Sequence, residues 1–493
     1  MFVSDVLDVA ERERAAALAR IDSTTQGALG QFFTPVSAAQ LIAGFPALPI
    51  TGHLRLLDPG AGSGALTAAF VHRVLVERPD VTVEVVAIER DPCVIPHLRA
   101  TMAACEQASA GRVQTTVLKA DFILDSTGIA PKIDIDGTFD LVIQNPPYGK
   151  LAAKSSHRLA LKQSGVDVPN LYAAFLVIGI AALKQGGQLV AITPRSFFNG
   201  PYFEAFRRHF LEHVALERIH VFDSRSSVFS DTGVLQENVV FVARRGGDAS
   251  NVQLSASKDH LGEIESKTVP YTSVVMPSDT HRFIRIAAEN SDNAAVATVL
   301  SQPCVLSDLG VQVSTGRVVD YRSRQALSTV ERSGAVPLLY PGNLKSGGVS
   351  WPSDIRKPQW FVPVGAKERA MLFPAGWYVL VKRFSSKEEK RRIVASVLSP
   401  DDFPGEIAFE NHLNVLHCGG AGLTKDLALG ICAWLNSATI DKFFRTFSGH
   451  TQVNATDLRC LRFPGREDLL AMGCMPEEVE GSERNLEGGV KVA

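Results

Sequence analysis

Residues 139–148 read FDLVIQNPPY, and this stretch decides the fold of the first half of the chain. Its opening half is a short apolar run of the kind that forms a buried strand. Two consecutive prolines then end the strand, because proline has no N–H to donate and its φ angle is fixed. The strand therefore presents Asn145 and Tyr148 at its carboxyl edge, which is where ligands bind in open α/β sheets.

The residues after this strand suit recognition of a planar amine. The side-chain oxygen of Asn145 and the carbonyl of Pro146 are two acceptors that could hold both hydrogens of an NH2 group, with its nitrogen lone pair turned toward an electrophile. Tyr148 would stack on the ring that carries the amine. This arrangement favours methyl transfer to a base or amide nitrogen, although a structural proline-rich turn could use the same residues, Asn145-Pro146-Pro147-Tyr148.

An earlier segment predicts a cofactor loop. Residues 54–67 read LRLLDPGAGSGALT, a strand followed by a glycine turn and a helix. Gly60, Gly62 and Gly64 would let the backbone approach a ligand closely, and the helix amino end would point its N–H groups at that ligand. Asp58 stands at the end of the strand, directly before the turn. The segment favours binding of a nucleoside.

The next two strands each lead into an acidic residue. Glu89 closes the strand at 83–89, where a carboxylate is placed to accept from both hydroxyls of a ribose. Asp121 follows the strand that begins at Val113, and it could accept from an adenine amino group while Phe122 packs on the ring. A helix cap and a core aromatic are the simpler explanation of Asp121 and Phe122 taken alone.

Length, cysteine usage and hydropathy limit the class of protein. A chain of 493 residues predicts two or three domains. Its seven cysteines have no CxxC spacing, so we expect neither a disulfide framework nor a metal site, and a reducing, cytoplasmic compartment fits. The first twenty residues hold four acidic side chains and no secretory signal. The longest apolar run, at 171–183, is too short to span a bilayer, so no membrane partner is expected.

The charge of the chain is unevenly distributed. The net charge is only −2, but residues 301–466 hold 21 basic against 14 acidic side chains, and the rest of the chain holds 29 against 38. A local surplus of this kind is typical of a face that binds a polyanion, although an ordinary solvated surface can also produce it.

These segments follow one another in a particular order: GQFFTP at 30–35, the glycine turn, the acid at Glu89, ADF at 120–122 and NPPY at 145–148. In that order they resemble the gamma class of S-adenosylmethionine-dependent DNA adenine-N6 methyltransferases of type II restriction-modification systems. The match covers residues 30 to about 245. It implies a Rossmann-like, doubly wound α/β sheet and S-adenosyl-L-methionine as the cofactor.

The resemblance also implies a role for each motif. Thr34 would close over the methionine end of the cofactor, although Thr34 and Pro35 by themselves predict only a helix start, with a threonine cap and proline as the first helical residue. The other cofactor-binding residues would be Asp58, Gly60, Gly62, Gly64, Glu89, Asp121 and Phe122. The catalytic residues, which receive the target base, would be Asn145, Pro146, Pro147 and Tyr148.

The predicted domain organisation combines these matches with composition. Residues 1–29 predict an N-terminal helix, and residues 30–248 the catalytic domain that binds the cofactor. Residues 249–300 predict a polar connection that could include a small strand pair. Residues 301–466 interleave basic, amide and aromatic side chains, which read base edges and grip phosphates. They resemble the α+β target-recognition domain of the same methyltransferases. The acidic tail at 467–493 is expected to be disordered.

The resemblance implies an enzyme that methylates adenine N6 in double-stranded DNA after base flipping, is paired with a restriction endonuclease and is a cytoplasmic monomer. Two alternatives remain open. One is a methyltransferase that acts on a protein glutamine or on RNA, and the other is a DNA-specificity protein without catalytic activity. The residues do not distinguish adenine from cytosine, because an asparagine pocket accepts either amine.

Overall fold

The computed structural model of the chain describes residues 2–20, 33–127, 131–133, 135, 137–163, 165–222, 238–277, 279–286, 290–345, 348–385, 389–447 and 452–474. Its internal contacts divide the chain into two compact units, residues 1–287 and residues 288–493.

The first unit is built on a central sheet. Its strands are β1 (Gly52–Pro59), β2 (Val81–Glu89), β3 (Val113–Lys119), β4 (Phe139–Gln144), β5 (Leu183–Pro194), β6 (Val214–Phe222), β7 (Asn238–Arg245), β8 (Asn251–Ser257) and β9 (Glu265–Pro270). Within the described residues they form one nine-stranded sheet in the order β3-β2-β1-β4-β5-β7-β6-β8-β9.

Helices connect these strands. They are α1 (Asp5–Leu18), α2 (Val36–Ala43), α3 (Ala65–Glu77), α4 (Ile95–Ala108), α5 (Phe122–Ser126), α6 (Ser156–Gln163), α7 (Leu171–Ala182), α8 (Glu204–His213) and α9 (Tyr271–Val274). Two short 3-10 helices, Arg195–Phe198 and Pro201–Phe203, follow β5. In the described part of the chain, no helix combines the length and the apolar character that crossing a membrane requires.

The strand order creates a switch point beside β1. From β1 the chain moves outward to β2 and β3, and β4 then pairs with the other side of β1, with all of these strands parallel. Leu56 pairs with Leu141 and Leu57 pairs with Val142, so β1 and β4 end side by side. Loops that leave two such strands in opposite directions open a crevice between them. The predicted Rossmann-like, doubly wound α/β sheet is confirmed.

An apolar layer covers each face of this sheet. Because successive side chains of a strand point to opposite faces, Leu56 packs in the layer that includes α1 to α4, and Leu57 packs in the layer that includes α7. α7 is apolar or small on every side and is buried along nearly its whole length. The face that α7 covers therefore lies directly beneath the end of β4.

The predicted connection at 249–300 contains a strand pair that belongs to the large sheet. Residues 251–257 are β8, which pairs with β6 and β9, and residues 265–270 are the edge strand β9 of the large sheet. The two units divide at 287/288. The polar composition that suggests a linker has a structural use, because Ser255 and Ser257 each form a 3.0 Å hydrogen bond with a ring nitrogen of buried His220. A strand whose polar side chains are bound to a buried polar partner therefore reads as a connection in the sequence.

Only part of the predicted N-terminal helix can be compared with the structure. The helix α1 covers Asp5–Leu18 and packs against α4, α3 and α2. Residues 21–32, which include Gly30, lie outside the described residues.

The second unit has the predicted α+β character. Its strands are β10 (Gln312–Thr315), β11 (Leu327–Ser328), β12 (Val336–Leu339), β13 (Trp360–Phe361), β14 (Tyr378–Lys382), β15 (Ala395–Leu398), β16 (Ala408–Phe409) and β17 (Leu413–His417). The described residues of this unit form two four-stranded sheets, in the orders β10-β17-β14-β15 and β11-β13-β12-β16. Its helices are α10 (Asn290–Leu300), α11 (Ala366–Arg369), α12 (Lys425–Leu435), α13 (Ala438–Phe447), α14 (Ala455–Cys460) and α15 (Arg466–Cys474), with 3-10 turns at Arg324–Ala326 and Pro341–Asn343.

The fold of the second unit brings together basic and aromatic segments that are far apart in the sequence. The Arg383 guanidinium donates to the carbonyl of Asn411 at 3.2 Å, and the rings of Phe384 and His412 lie 4.9 Å apart. Gln452 forms an isolated bridge with Phe384. Residues 448–451, which belong to the segment that resembles a target-recognition domain, lie outside the described residues.

The beginning of the expected disordered tail is instead helical. α15 runs from Arg466 to Cys474 and packs against α12, with Leu469 fully buried. The two backbones approach closely because a glycine of each helix stands at the contact. A Cβ added to Gly430 would lie 1.9 Å from the carbonyl oxygen of Leu469, and a Cβ added to Gly473 would lie 2.0 Å from the carbonyl oxygen of Asp426. The composition of the tail predicts disorder because α15 is held by its contact with α12, and that contact is not visible in the composition. Residues 475–493 lie outside the described residues.

This contact predicts an unusual result for Gly430→Ala. In a helix interior that change normally adds about 1 kcal/mol of helix propensity. Here we expect it to lower the free energy of unfolding by roughly 1–3 kcal/mol, because the methyl group cannot fit against the Leu469 carbonyl. Calorimetric unfolding of the full chain measures the change. Gly405→Ala is the matched control, since a Cβ at Gly405 meets nothing within 4 Å. A G430A protein as stable as the wild type would show that the two helices do not touch.

Candidate active site

A pocket of about 900 Å³, counting its open side, lies in the first unit beyond the carboxyl ends of β1 and β4. Eight of the twelve residues singled out in the sequence line it: Thr34, Gly60, Gly62, Glu89, Asp121, Phe122, Asn145 and Pro147. The other four, Asp58, Gly64, Pro146 and Tyr148, do not appear in its lining. The fold therefore gathers most of the motifs around one cavity.

The glycine turn forms one wall of this pocket. Gly60 and Gly62 have φ angles of +70° and +56°, a left-handed conformation that favours glycine. The turn is also closely packed: a Cβ on Gly60 would lie 3.1 Å from the ring of Phe175, and a Cβ on Gly62 would lie 3.2 Å from the ring of Phe33. Two aromatic rings thus press against the backbone that faces the cavity.

Glu89 ties the ends of β1 and β2 together. Its Oε2 accepts the N–H of Gly62 at 3.0 Å, and its Oε1 accepts the N–H groups of Arg90 and Asp91, each at 2.8 Å. A carboxylate has about four acceptor positions, so these three bonds leave about one for a ligand hydroxyl. Burial raises the pKa of the Glu89 carboxyl above its ordinary value.

Asp58 is buried at the end of β1. Its Oδ2 accepts from the hydroxyl of Thr67 in α3 at 2.7 Å, whereas its Oδ1 has no hydrogen-bond partner among the described residues. Burial raises the pKa of the Asp58 carboxyl to about 7. An unpartnered, buried carboxylate oxygen behind the glycine turn would be stabilised by a cationic ligand group.

Asp121 is both a helix cap and a wall of the pocket. Its Oδ1 accepts the N–H groups of Ile123 and Leu124, both at 3.1 Å, and so caps α5. Its Oδ2 accepts from Nε2 of His157 at 2.9 Å and from Nη1 of Arg90 at 3.3 Å. Burial raises the pKa of the Asp121 carboxyl, but the hydrogen bonds and charges of these neighbours outweigh it and lower the pKa below its ordinary value.

Asn145 and Tyr148 link the loop after β4 to Thr34 and to β5 beside the pocket. Its Nδ2 donates to Oγ1 of Thr34 at 3.0 Å, and its Oδ1 accepts from the hydroxyl of Tyr148 at 3.2 Å. The Tyr148 hydroxyl also lies 3.4 Å from the carbonyl oxygen of Ile192 in β5. Burial raises the pKa of the Tyr148 hydroxyl, so this group stays protonated and donates at neutral pH.

The expected helix cap at Thr34 is wrong. α2 begins at Val36, and Pro35 rather than Thr34 is its N-cap residue. Thr34 is buried, and its hydroxyl oxygen accepts from Asn145, which lies 111 positions away in the sequence. A partner so distant in the chain leaves no local signal, so the Thr-Pro pair predicts only a helix start.

Three aromatic residues that line the pocket were not singled out as ligand-binding residues in the sequence. Phe33 packs on Gly62, Phe175 packs on Gly60 and against Phe122 at a ring distance of 5.0 Å, and His157 binds Asp121. Phe175 lies in the uniformly apolar helix α7, where no periodicity separates a pocket-facing ring from a core ring. His157 stands in a polar segment whose sequence carries no recognisable motif.

Known proteins match the chain over nearly its whole length. A family model described as Eco57I restriction-modification methylase matches residues 104–229. Type II methyltransferase M.BsuBI of Bacillus subtilis is 37% identical over 483 residues, which cover 96% of this chain and 94% of that protein. The chain belongs to the type II methyltransferases of restriction-modification systems. Type II methyltransferase M.PstI of Providencia stuartii is likewise 39% identical over 463 residues, covering 92% of this chain and 91% of that protein.

A solved structure of the type IIL restriction-modification enzyme MmeI in complex with DNA is also similar, with a TM-score of 0.47 and 11% sequence identity, over 88% of this chain and 62% of that one. That similarity is too low to bear on function.

Membership of this family gives the reaction as DNA methylation, and the cofactor is S-adenosyl-L-methionine. The pocket fits that molecule chemically. A nucleoside with a charged amino acid side chain needs acceptors for hydroxyl and ammonium groups and an apolar cleft for its base. Glu89 has about one acceptor position left, Asp58 has a buried oxygen without a partner, and Phe122 and Phe175 provide an apolar wall.

The raised pKa of Asp58 predicts a pH dependence of stability. The folded state keeps this proton to about pH 7, whereas the unfolded chain loses it near 3.8, so the stability that it contributes is lost as pH rises through that window. One such group changes the free energy of unfolding by up to about 1.4 kcal/mol per pH unit. We expect calorimetric unfolding of the cofactor-free chain between pH 5 and 8 to be flatter for Asp58→Asn than for the wild type.

The comparison isolates Asp58 because Glu89, whose pKa burial also raises, is present in both proteins. Parallel stability curves for the two proteins would mean that Asp58 is ionised throughout this range.

Proposed function

We propose that this protein transfers a methyl group from S-adenosyl-L-methionine to adenine N6 at a specific site in double-stranded DNA, and so protects host DNA from a cognate restriction endonuclease. The observation that carries the proposal is the chain of hydrogen bonds from Thr34 through Asn145 to Tyr148, beside a pocket that suits the cofactor. Asn145 directly follows β4, and β4 ends beside the strand that leads into the glycine turn. An amine held there lies within reach of a cofactor in the same cavity.

Asn145 orients the target amine. In the structure its Nδ2 donates to Thr34 Oγ1, and its Oδ1 is the acceptor on the side of Tyr148. In the proposed complex the amine donates one hydrogen to this oxygen and the other to the carbonyl of Pro146. Two acceptors direct the nitrogen lone pair and raise its electron density, so prior removal of a proton is unnecessary.

Tyr148 supports both the amide and the base. Its hydroxyl donates to Asn145 Oδ1 and approaches the Ile192 carbonyl, and burial keeps it protonated at neutral pH. Its ring stacks on the extruded base, which offsets part of the few kcal/mol that leaving the duplex costs. Loss of the hydroxyl and loss of the ring should therefore have separate effects.

The cofactor is held by residues from four loops. Glu89 accepts from a ribose hydroxyl, and Asp58 compensates the positive charge of the methionine part. Phe122 packs on the adenine, and Asp121 accepts from the adenine amino group in place of the exposed Arg90. Thr34 closes over that part, as in the family that the motifs resemble. When bound, S-adenosyl-L-methionine supplies an electrophilic methyl group on a positively charged sulfur. The carboxylates and the glycine turn are already hydrogen-bonded in place, so binding requires little reorganisation.

The second unit supports DNA as the substrate. Residues 301–466 carry a net charge of +7, and a surplus of this sign favours binding to phosphates. Arg383, Phe384 and His412 form a local group of basic and aromatic side chains, of the kind that contacts sugar, phosphate and base.

Asn145→Ala tests the catalytic assignment. We expect methyl transfer to unmodified double-stranded DNA to fall at least about a hundred-fold, because the acceptor that orients the amine is removed. Transfer of labelled methyl, followed by nucleoside analysis of the product, measures it. The wild type should produce N6-methyladenine at one short recurring sequence, which single-molecule mapping would show.

Asn251→Ala is the matched control, because Asn251 is exposed on β8 in the same sheet. It should methylate DNA at the wild-type rate. Normal transfer by N145A would disprove the assignment of Asn145. N4-methylcytosine in the product would show that the target base is cytosine, methylated by the same mechanism. Label found only in protein or RNA would show that DNA is not the substrate.

A further inference from the structure

The N-terminal helix α1 has no part in the function proposed above, yet it contacts the short segment Phe33–Val36 at two places. That segment carries Thr34, whose hydroxyl oxygen accepts from the amide of Asn145. The position of α1 therefore bears on a residue of the site, although α1 lines no part of the pocket.

The first contact is made by the carboxylate of Glu11. Its Oε2 accepts the N–H of Val36, the first residue of α2, at 3.1 Å. The residue before it, Pro35, has no side-chain acceptor and cannot cap the helix. Glu11 therefore supplies the missing cap from another helix, and its negative charge lies at the positive end of the α2 dipole.

Glu11 is itself held in position by Arg14, one turn further along α1. The Arg14 side chain donates through Nε and Nη2 to Oε1 of Glu11, at 3.0 and 2.6 Å. Burial raises the pKa of the Glu11 carboxyl, but the bonds from Arg14 and Val36 outweigh it and lower the pKa below its ordinary value. The carboxylate is thus charged and oriented at neutral pH.

The second contact is apolar. Ala17 and Leu18, at the end of α1, pack in a small cluster with Phe33 and Val94. The ring of Phe33 in turn presses on the glycine turn at Gly62. Phe33 and Val36 flank Thr34 in the chain, so α1 holds both sides of this residue.

α1 is also attached to the body of the first unit. Val6 and Ala10 pack with residues of α2 and α3, and Glu13 Oε2 lies 2.8 Å from Nδ1 of His97 in α4. The contact between Glu13 and His97 anchors the helix without touching the segment Phe33–Val36. The anchor at Glu13 and the contact of Glu11 with Val36 can therefore be tested separately by substitutions in one helix.

We propose that α1 is a clamp that sets the position of Thr34 against Asn145, with Glu11 as the positioning residue. Glu11 fixes the start of α2, two residues after Thr34, and the apolar cluster fixes Phe33 on the other side. Thr34 Oγ1 then stays within hydrogen-bond distance of the Asn145 amide. The consequence for methyl transfer rests on the proposed function, whereas the mechanical part does not.

Hydrogen exchange tests the mechanical part without cofactor or DNA. In Glu11→Ala the Val36 N–H loses its acceptor, and we expect exchange in residues 34–43 to be at least about ten-fold faster than in the wild type. Glu11→Gln keeps an oxygen that can accept this N–H and should restore slow exchange. Glu13→Ala removes the contact with His97 and leaves the contact between Glu11 and Val36 in place, so exchange in residues 34–43 should stay close to that of the wild type.

Kinetics test whether the clamp acts through Thr34. At saturating cofactor and DNA, we expect kcat of E11A to fall about ten-fold, with E11Q and E13A within about two-fold of the wild type. Thr34→Ala removes the acceptor of Asn145 directly, so the double variant E11A/T34A should be no slower than T34A. A residue that merely stabilises the fold would lower the melting temperature without this non-additivity.

The outcomes separate the clamp from the proposed function. Exchange in E11A at the wild-type rate overturns the clamp, and so does a double variant whose loss equals the product of the two single losses. If the wild type transfers no methyl group to any DNA, the proposed function fails, and the exchange comparison still decides whether Glu11 holds the segment.

Discussion

The parallel pairing of β1 with β4 is the constraint on which the site depends. Four paired residues, Leu56 with Leu141 and Leu57 with Val142, bring two strand ends together although β4 begins about eighty positions after β1 ends. The glycine turn follows one strand and Asn145 follows the other. Neither motif forms the pocket alone, because the glycine turn and Asn145 line it from the ends of two different strands.

Buried acceptors follow from this arrangement. Asp58, Glu89 and Asp121 lie at or just beyond the ends of three neighbouring strands, where carboxylates are costly unless they are hydrogen-bonded. Each is satisfied differently: Asp58 by the Thr67 hydroxyl, Glu89 by backbone N–H groups, and Asp121 by a helix amino end together with His157. The bonds stiffen the pocket before any ligand enters. Asp58 is the least satisfied of the three, and it is the one whose pKa rises to about 7.

The side chain of Asn145 is held by residues from outside its own strand. Thr34 contacts its nitrogen and Tyr148 its oxygen, while α1 stabilises the segment that carries Thr34 through Glu11 and Phe33. An amide held on both sides has a defined position before any ligand binds. The geometry of the site thus depends on a helix that lies more than a hundred residues earlier in the chain.

The sequence by itself determined the sheet, the glycine turn and the asparagine motif, because strand periodicity, glycine spacing and the Pro-Pro stop are local properties of the chain. Only the tertiary structure decided what depends on distant partners. It made Thr34 a partner of Asn145 rather than a helix cap and brought His157 onto Asp121. It also made Ser255 and Ser257 partners of His220 within the sheet instead of parts of a connection. A hydrogen bond between residues far apart leaves no periodic trace in either segment, so no local pattern predicts it.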